Sequence, residues 1–480
     1  MNISSYQHFY INNEWQAPSG HAEFSVINPA TERIIATVPK GENADIDRAV
    51  AAAREAFDKG PWPRMSAAER AQCMKELSAA LQADLPALAA LITQEMGSPM
   101  SFSLPGQAYA STMVLDYYAQ LAQSYPFEEQ RAGLQKPLLV RGLPVGVVAA
   151  ITPWNVPLFT LMLKLAPALA AGCTLVLKPS PETPLSTYAL IEAVAKTSIP
   201  PGVINLVPAD RDVGEYLVSH PGVDKVSFTG STVAGRKIGG ICGQQLKRCT
   251  LELGGKSAAI ILDDANLDKV VPELLPAAIM NSGQACIAQT RILAPRQRYT
   301  EIVETFSAAF SSLKVGDPMQ QDTHIGPLFS QHHRERVESY INLGQQEGAS
   351  VVTGGGRPRH LERGWYIEPT LFADVDNNMR IAQEEIFGPV VVMIPYDSDA
   401  DAARIANDSD YGLSGSVWGE DTERGLDIAR QVRTGTYTVN GLSLDFNGPF
   451  GGFKQSGLGR ELGPEGLQAY LETQCIALQS

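Results

Sequence analysis

The stretch Lys225-Val-Ser-Phe-Thr-Gly-Ser-Thr-Val-Ala-Gly235 reads as a strand, a tight turn and the start of a helix. Gly230 lets the backbone come close to a ligand, and Ser231 with the free N–H groups of the following turn makes an anion site of the kind a pyrophosphate occupies. The spacing G-S-x-x-x-G is not the Rossmann G-x-G-x-x-G, and a tight connection with Gly235 kept small for packing accounts for the same residues. On either side lie comparable apolar runs: Val147 to Ile151, Thr174 to Leu177, Val203 to Val207 and Ala258 to Leu262. Each is short and aliphatic, most are bounded by Gly, Pro, Asn or Asp, and helical patterns separate them. That alternation predicts parallel strands with crossover helices, an α/β doubly wound sheet with its ligand crevice at the carboxyl ends of the strands.

The second half repeats this texture, with strands expected at Val351 to Thr353, Val390 to Tyr396 and Tyr437 to Asn440. Two α/β domains therefore meet near residue 254. The first third reads as helical scaffold. Ile46, Val50, Ala53 and Phe57 share one helix face with Asn43 at the N-cap position, and Ser66-Ala-Ala-Glu69 has capping-box spacing before one amphipathic stretch to about Met96. The stretch from Phe127 to Arg141 and the tail after Leu467 fit neither domain and predict a β arm, whose exposed edge invites pairing with another subunit.

Composition narrows the function classes. The chain has 480 residues, 44% hydrophobic and 19% charged, an ordinary soluble composition that at roughly 150 residues per domain allows about three domain-sized units. Net charge is 38 − 52 = −14 without a long basic run, which speaks against nucleic acid or an anionic membrane as partner. Six cysteines without C-x-x-C pairs suggest neither a disulfide framework nor a zinc ribbon, so reduced thiols and a cytoplasmic location are expected. No apolar run reaches the ~18 residues of a membrane span, no export leader is seen, and the histidines show no ligand spacing, so no metal is expected.

Four segments can carry chemistry. Asn281-Ser-Gly-Gln-Ala-Cys286 puts a cysteine in a turn of small residues, where backbone dipoles can activate it; most cysteines are inert, and the other five lie in regular patterns. Leu251-Glu-Leu-Gly-Gly-Lys256 sets Glu252 between leucines, an apolar setting that raises a carboxyl toward the range of a general base, although an edge-strand glutamate fits the local sequence equally well. Ile151-Thr-Pro-Trp-Asn155 ends a strand with an amide that can donate to an oxyanion or hold a turn. Leu177-Lys-Pro-Ser-Pro-Glu-Thr-Pro184 points Lys178 either at ribose hydroxyls or a phosphate in the crevice, or into solvent.

Taken with Phe228-Thr-Gly-Ser231, Glu385-Ile-Phe-Gly-Pro389 and Pro449-Phe-Gly-Gly-Phe-Lys454, these segments resemble the NAD(P)-dependent aldehyde dehydrogenase superfamily over nearly the whole chain. The resemblance implies an aldehyde dehydrogenase-like α/β fold: a Rossmann-type cofactor domain (1–121 and 145–253), a catalytic domain (254–467) and an oligomerisation arm (122–144 and 468–480) that builds a homodimer or homotetramer. It implies Cys286 as nucleophile, Glu252 as base and Asn155 as oxyanion donor. Lys178 and Ser231 would hold the adenosine ribose and pyrophosphate, Glu385 the nicotinamide ribose, and Phe387 would back the nicotinamide ring. Ile151, Thr152, Pro153, Trp154, Ser180, Pro181, Glu182, Phe228, Gly230 and Leu253 complete the cofactor contacts.

The family often has a glutamate three residues after the lysine matched by Lys178. Here Pro181 stands there with Glu182 beside it, so NAD is expected and NADP is the alternative. A substrate tunnel of Val156, Phe159, Thr160, Leu163, Ala285, Ile287, Leu444 and Phe450 carries no arginine, favouring an apolar, medium-chain, branched or cyclic aldehyde over one bearing a carboxylate. A CoA-acylating dehydrogenase, which would lack the base, and a non-catalytic protein of the same fold are the competing readings.

Overall fold

The computed structural model describes residues 4–134 and 136–477. Seven strands run through the first sheet: β1 (Phe9–Ile11), β2 (Glu14–Gln16), β3 (Val147–Ile151), β4 (Thr174–Lys178), β5 (Ile204–Leu206), β6 (Lys225–Thr229) and β7 (Arg248–Glu252). Their spatial order is β2-β1-β5-β4-β3-β6-β7, closed beyond β7 by the short antiparallel strand Gly457–Leu458. From β3 to β7 the pairing is parallel, in a register that sets Ile151 beside both Lys178 and Phe228, and Thr229 beside Glu252. The chain winds outward from β3 through β4 to β5, then crosses back to lay β6 and β7 on the other side. The carboxyl ends of β3 and β6 therefore diverge at a switch point, where a doubly wound sheet opens a crevice.

Helices cover both faces, which is why these strands read as unbroken apolar runs. Helix α1 (Pro157–Ala171) joins β3 to β4; every residue in it is buried, including Lys164. Proline at its first position and Gly172 at φ 96° past its end delimit it. Helix α2 (Thr232–Gln245) follows β6, with Ser231 as N-cap accepting from Ala234 N at 3.3 Å.

After β7 the chain passes through Gly254 and Gly255 into a second sheet: β8 (Ala258–Ile261), β9 (Arg291–Pro295), β10 (Ser350–Thr353), β11 (Thr370–Ala373), β12 (Val390–Tyr396), β13 (Gly415–Trp418) and β14 (Thr438–Val439). The order is β10-β11-β12-β9-β8-β13-β14, parallel except for the β10/β11 edge pair. Helices α3 (Leu267–Ala278) and α4 (Gln331–Gln346) flank it. β14 is shorter than its sequence suggests, because Asn440 turns to φ 54° and its amide clasps the Gly419 backbone from both sides.

Two expectations in the helical third need correction. The first helix is capped by Glu42, in a reciprocal box with Asp45, and Asn43 is its first helical residue. The capping box at Ser66 forms with Glu69, but the stretch to Met96 is two helices, Ala67–Gln82 and Leu85–Met96. Asp84 caps the second at Ala87 N, and Pro86 can continue no earlier helix. Glu128–Arg131, Leu138–Pro144 and Leu471–Ala477 form a separate three-stranded antiparallel sheet, tied to β7 by the Arg248–Glu472 ion pair. Among the described residues no helix is long and apolar enough to cross a membrane.

Candidate active site

A cavity of about 510 Å³ opens where the carboxyl ends of β3, β6 and β7 face the loops 280–287 and 385–387. Its wall contains Asn155, Glu252 and Cys286 together, and all eight of Val156, Phe159, Thr160, Leu163, Ala285, Ile287, Leu444 and Phe450. Thr160 spends its hydroxyl on Val156 O at 2.9 Å, so this stretch of wall is effectively apolar. Pro153, Trp154, Gly230, Ser231, Leu253, Glu385 and Phe387 line the same space. Ile151, Thr152, Lys178, Ser180, Pro181, Glu182 and Phe228 do not; they lie at or just beyond the ends of β3, β4 and β6.

The cysteine loop is held under backbone strain. Asn281, Ser282 and Gly283 are successively left-handed, with φ of 53°, 59° and 73°, a run that side-chain-bearing residues adopt only where their surroundings impose it. Asn281 Nδ2 donates to Asn155 O at 2.9 Å, Gly326 N donates to Ser282 Oγ at 3.0 Å, and Phe329 N donates to Gln284 Oε1 at 3.0 Å. A Cβ on Gly283 would stand 2.0 Å from Gly388 O. The Asn155 amide donates one N–H to Gln284 O at 2.9 Å, which leaves its second N–H for a ligand beside Cys286.

Half-buried Cys286 has its thiol pushed up to about 12, by desolvation first and then by the Glu385 and Glu252 carboxyls; its own backbone N–H and that of Ile287 act in the opposite direction. Glu252 is buried with both carboxylate oxygens lacking a partner among the described residues. Burial, and next the neighbouring Glu461, raise its carboxyl well above the usual range, opposed by Lys164 and Arg460.

Beside it, Lys164 Nζ bridges Glu461 Oε1 at 2.7 Å and Thr229 Oγ1 at 2.5 Å, while Glu461 Oε2 has no partner among the described residues and Glu461 itself reaches the cavity wall. The sequence offered one sign of this pair: Lys164 is the lone charge in an otherwise apolar helix. Its partner, 297 residues away, left no local trace.

On the opposite wall Glu385 accepts from Gly255 N at 3.0 Å, and burial pushes its carboxyl up to about 7. A Cβ on Gly254 would come within 2.4 Å of its Oε2, so a larger residue there would push the Glu385 carboxyl aside. Phe387, at φ 67°, is pinned by His333, whose Nε2 lies 2.6 Å from Phe387 O. Trp154 stacks on Phe329 at 3.6 Å and meets Phe387 edge-on at 5.4 Å. Three residues further along α4, Arg336 donates to Glu385 O at 2.7 Å and lines the cavity. The i, i+3 spacing of His333 and Arg336 places both on one helix face, a pattern the sequence reading passed over.

The residues beyond the cavity suit a dinucleotide. Lys178 Nζ, buried at the end of β4, bonds Pro179 O at 3.4 Å, and desolvation lowers its ammonium to about 8. Exposed Glu182 is hydrogen-bonded by Ser180 Oγ and attracts Lys178. Thr152 Oγ1 is buried without a partner among the described residues.

Residues 15–476 match the model of the Aldehyde dehydrogenase family. A geranial dehydrogenase from Castellaniella defragrans is 48% identical, over 98% of this chain and 99% of that protein. A Mycobacterium tuberculosis aldehyde dehydrogenase solved with NAD+ superposes with a TM-score of 0.98 at 46% identity, covering 99% of each chain. A variant of aldehyde dehydrogenase C from Pseudomonas syringae, solved with NAD+ and octanal, gives 0.95 at 41% identity over 98% of this chain and 96% of that one.

Proposed function

Because this chain belongs to the aldehyde dehydrogenase family, we propose that it oxidises an apolar aldehyde of medium length, branched or cyclic, to the carboxylic acid with NAD+. The observation that carries this is the convergence of Cys286, Asn155 and Glu252 on one cavity with eight tunnel residues that are aliphatic or aromatic apart from Thr160, while its one arginine, Arg336, is held at the Glu385 backbone. The relatives that act on geranial or hold octanal point the same way.

The cofactor would lie along the ends of β4, β3 and β6, with NAD+ bound in the related structures. Lys178 offers spare donors and Glu182 a carboxylate to the adenosine ribose, Ser231 and the N-terminus of α2 suit the pyrophosphate, and Glu385 the second ribose. A carboxylate at Glu182 accepts from ribose hydroxyls and repels a 2′-phosphate, which favours NAD over NADP. When bound there, the dinucleotide supplies the hydride acceptor that the oxidation requires.

The protein's own groups do the rest. Cys286 Sγ, as thiolate, adds to the carbonyl carbon, and the free N–H of Asn155 with the Cys286 backbone N–H holds the resulting oxyanion. Once oxidised, that carbon is a thioester on Cys286. Glu252 takes a proton from water, which attacks the thioester and releases the acid. Burial, with the Glu461 carboxyl next, raises the basicity of Glu252, so its deprotonated form can take that proton. The presence of this base argues against CoA as the acyl acceptor.

Incubating the enzyme with NAD+ or NADP+ and a panel of aldehydes, with and without CoA, tests the proposal. NADH formation without CoA, with kcat/KM rising from acetaldehyde to octanal and citral by up to about 0.8 kcal/mol per buried methylene, is the expected result. Succinic semialdehyde as best substrate, or an absolute need for CoA, would overturn it.

A further inference from the structure

A second cleft, of about 540 Å³, lies against the outer side of the catalytic cavity. Phe102, Met280 and Leu442 line both spaces, so the partition between them is one side chain thick. One of the three is a flexible thioether, the kind of residue that yields to a ligand most readily. Beyond the partition the cleft is bounded by Leu275 and Glu273 of α3, by Ser312 and Leu313 at the end of helix Tyr299–Ser311, and by His324. Ten of the fifteen residues that line it are apolar, the polar ones are Ser101, Glu273, Asn281, Ser312 and His324, and neither lysine nor arginine lines it.

The catalytic cavity has little room to spare. Its 510 Å³ spans both the Glu385–Phe387 wall, which on the reading above takes the nicotinamide end of the cofactor, and the apolar tunnel that takes the aldehyde. A long acyl chain attached at Cys286 therefore outgrows the tunnel and reaches the Phe102–Met280–Leu442 partition. We infer that the second cleft is a distal subsite for the tail of a long-chain aldehyde, which enters it past Met280. This rests on the proposed aldehyde oxidation and extends its substrate range. The acidic rim adds a selection of its own: a neutral tail, or one ending in a hydroxyl, is accepted beside Glu273, and a terminal carboxylate is repelled with no cation to pair it.

The test compares octanal, dodecanal, 12-hydroxydodecanal and 12-oxododecanoate on the full chain with NAD+. Wild type should oxidise dodecanal and 12-hydroxydodecanal with kcat/KM at least equal to that for octanal, and 12-oxododecanoate at least about ten-fold less well, within the range that a misfit of a single group commands. Ser312→Trp fills the cleft from an exposed position outside the catalytic cavity. It should lower kcat/KM for dodecanal at least about ten-fold with octanal unchanged. Glu273→Lys, also exposed, should raise 12-oxododecanoate oxidation and leave octanal alone. Equal effects on octanal and dodecanal in both variants, or none on either, would overturn the subsite while the catalytic assignment stands. No oxidation of octanal by wild type would instead remove the reading on which it rests.

Discussion

On the proposed mechanism Cys286, Glu252 and Asn155 carry separable parts of the chemistry, and substitutions should separate them. Asn155→Ala removes one oxyanion donor, worth roughly 3 kcal/mol or a ~100-fold loss in kcat; unchanged kcat in a folded variant would refute its role. Cys286→Ala should abolish hydride release altogether. Glu252→Gln keeps the side chain's shape but not its basicity, so quenched-flow measurement should find a burst of up to one NADH per site followed by almost no turnover, with the acyl group on the Cys286 peptide by mass spectrometry. The pH dependence follows from the same surroundings. Both the Cys286 thiol and the Glu252 carboxyl are raised, and each acts in its deprotonated form, so kcat/KM should climb with pH through neutrality; a profile falling over pH 7 to 9 would show that neither ionisation is required.

Secondary-structure elements place these residues, and the strands were legible because their composition is one-sided. The runs at β3, β4, β6 and β8 are buried on both faces and bounded by turn formers, so aliphatic content alone locates them. That Cys286, Glu252, Asn155 and the eight tunnel residues share one cavity was foreseen only through the family resemblance. What escaped is contact at long range: Lys164 with Glu461, and His333 with Phe387, 54 residues apart. Periodicity in a polar helix such as α4 reports which face is inward and not which backbone carbonyl it meets. That contact carries a prediction. Burial lowers the His333 imidazole to about 4 from its ordinary 6.5, so the folded state holds it neutral while the unfolded chain binds a proton below 6.5. Its contribution is full above pH 6.5 and is lost as pH falls from 6.5 toward 4. Thermal melts of wild type should lose stability in that window, and His333→Gln should show a shallower loss; identical pH slopes would remove His333 as the cause.

Across the whole molecule, the candidate site and the three-stranded sheet of Glu128–Arg131, Leu138–Pro144 and Leu471–Ala477 occupy different places. The cavity wall is drawn from residues between Phe102 and Glu461 in the two sheet-bearing bodies, and none comes from the three arm strands. The arm joins the body at Tyr470, whose ring is buried, whose hydroxyl meets Ser227 Oγ at 3.0 Å and over which Lys225 sits at 4.8 Å. Beyond that anchor, Leu471–Ala477 pairs with Leu138–Pro144 residue for residue, while the outer strand Glu128–Arg131 is exposed throughout and offers a free edge. An unpaired strand edge can pair with another chain, so we expect a homodimer or homotetramer, seen as such by light scattering after size exclusion. Ending the chain after Tyr470 keeps the anchor and removes one of the arm's three strands. The shortened protein should run as a monomer, melt at lower temperature, and still oxidise octanal with NAD+, because its cavity is complete. A wild-type monomer would contradict the assembly role, and loss of turnover in a folded, monomeric truncation would show that a neighbouring subunit is needed to hold the site together.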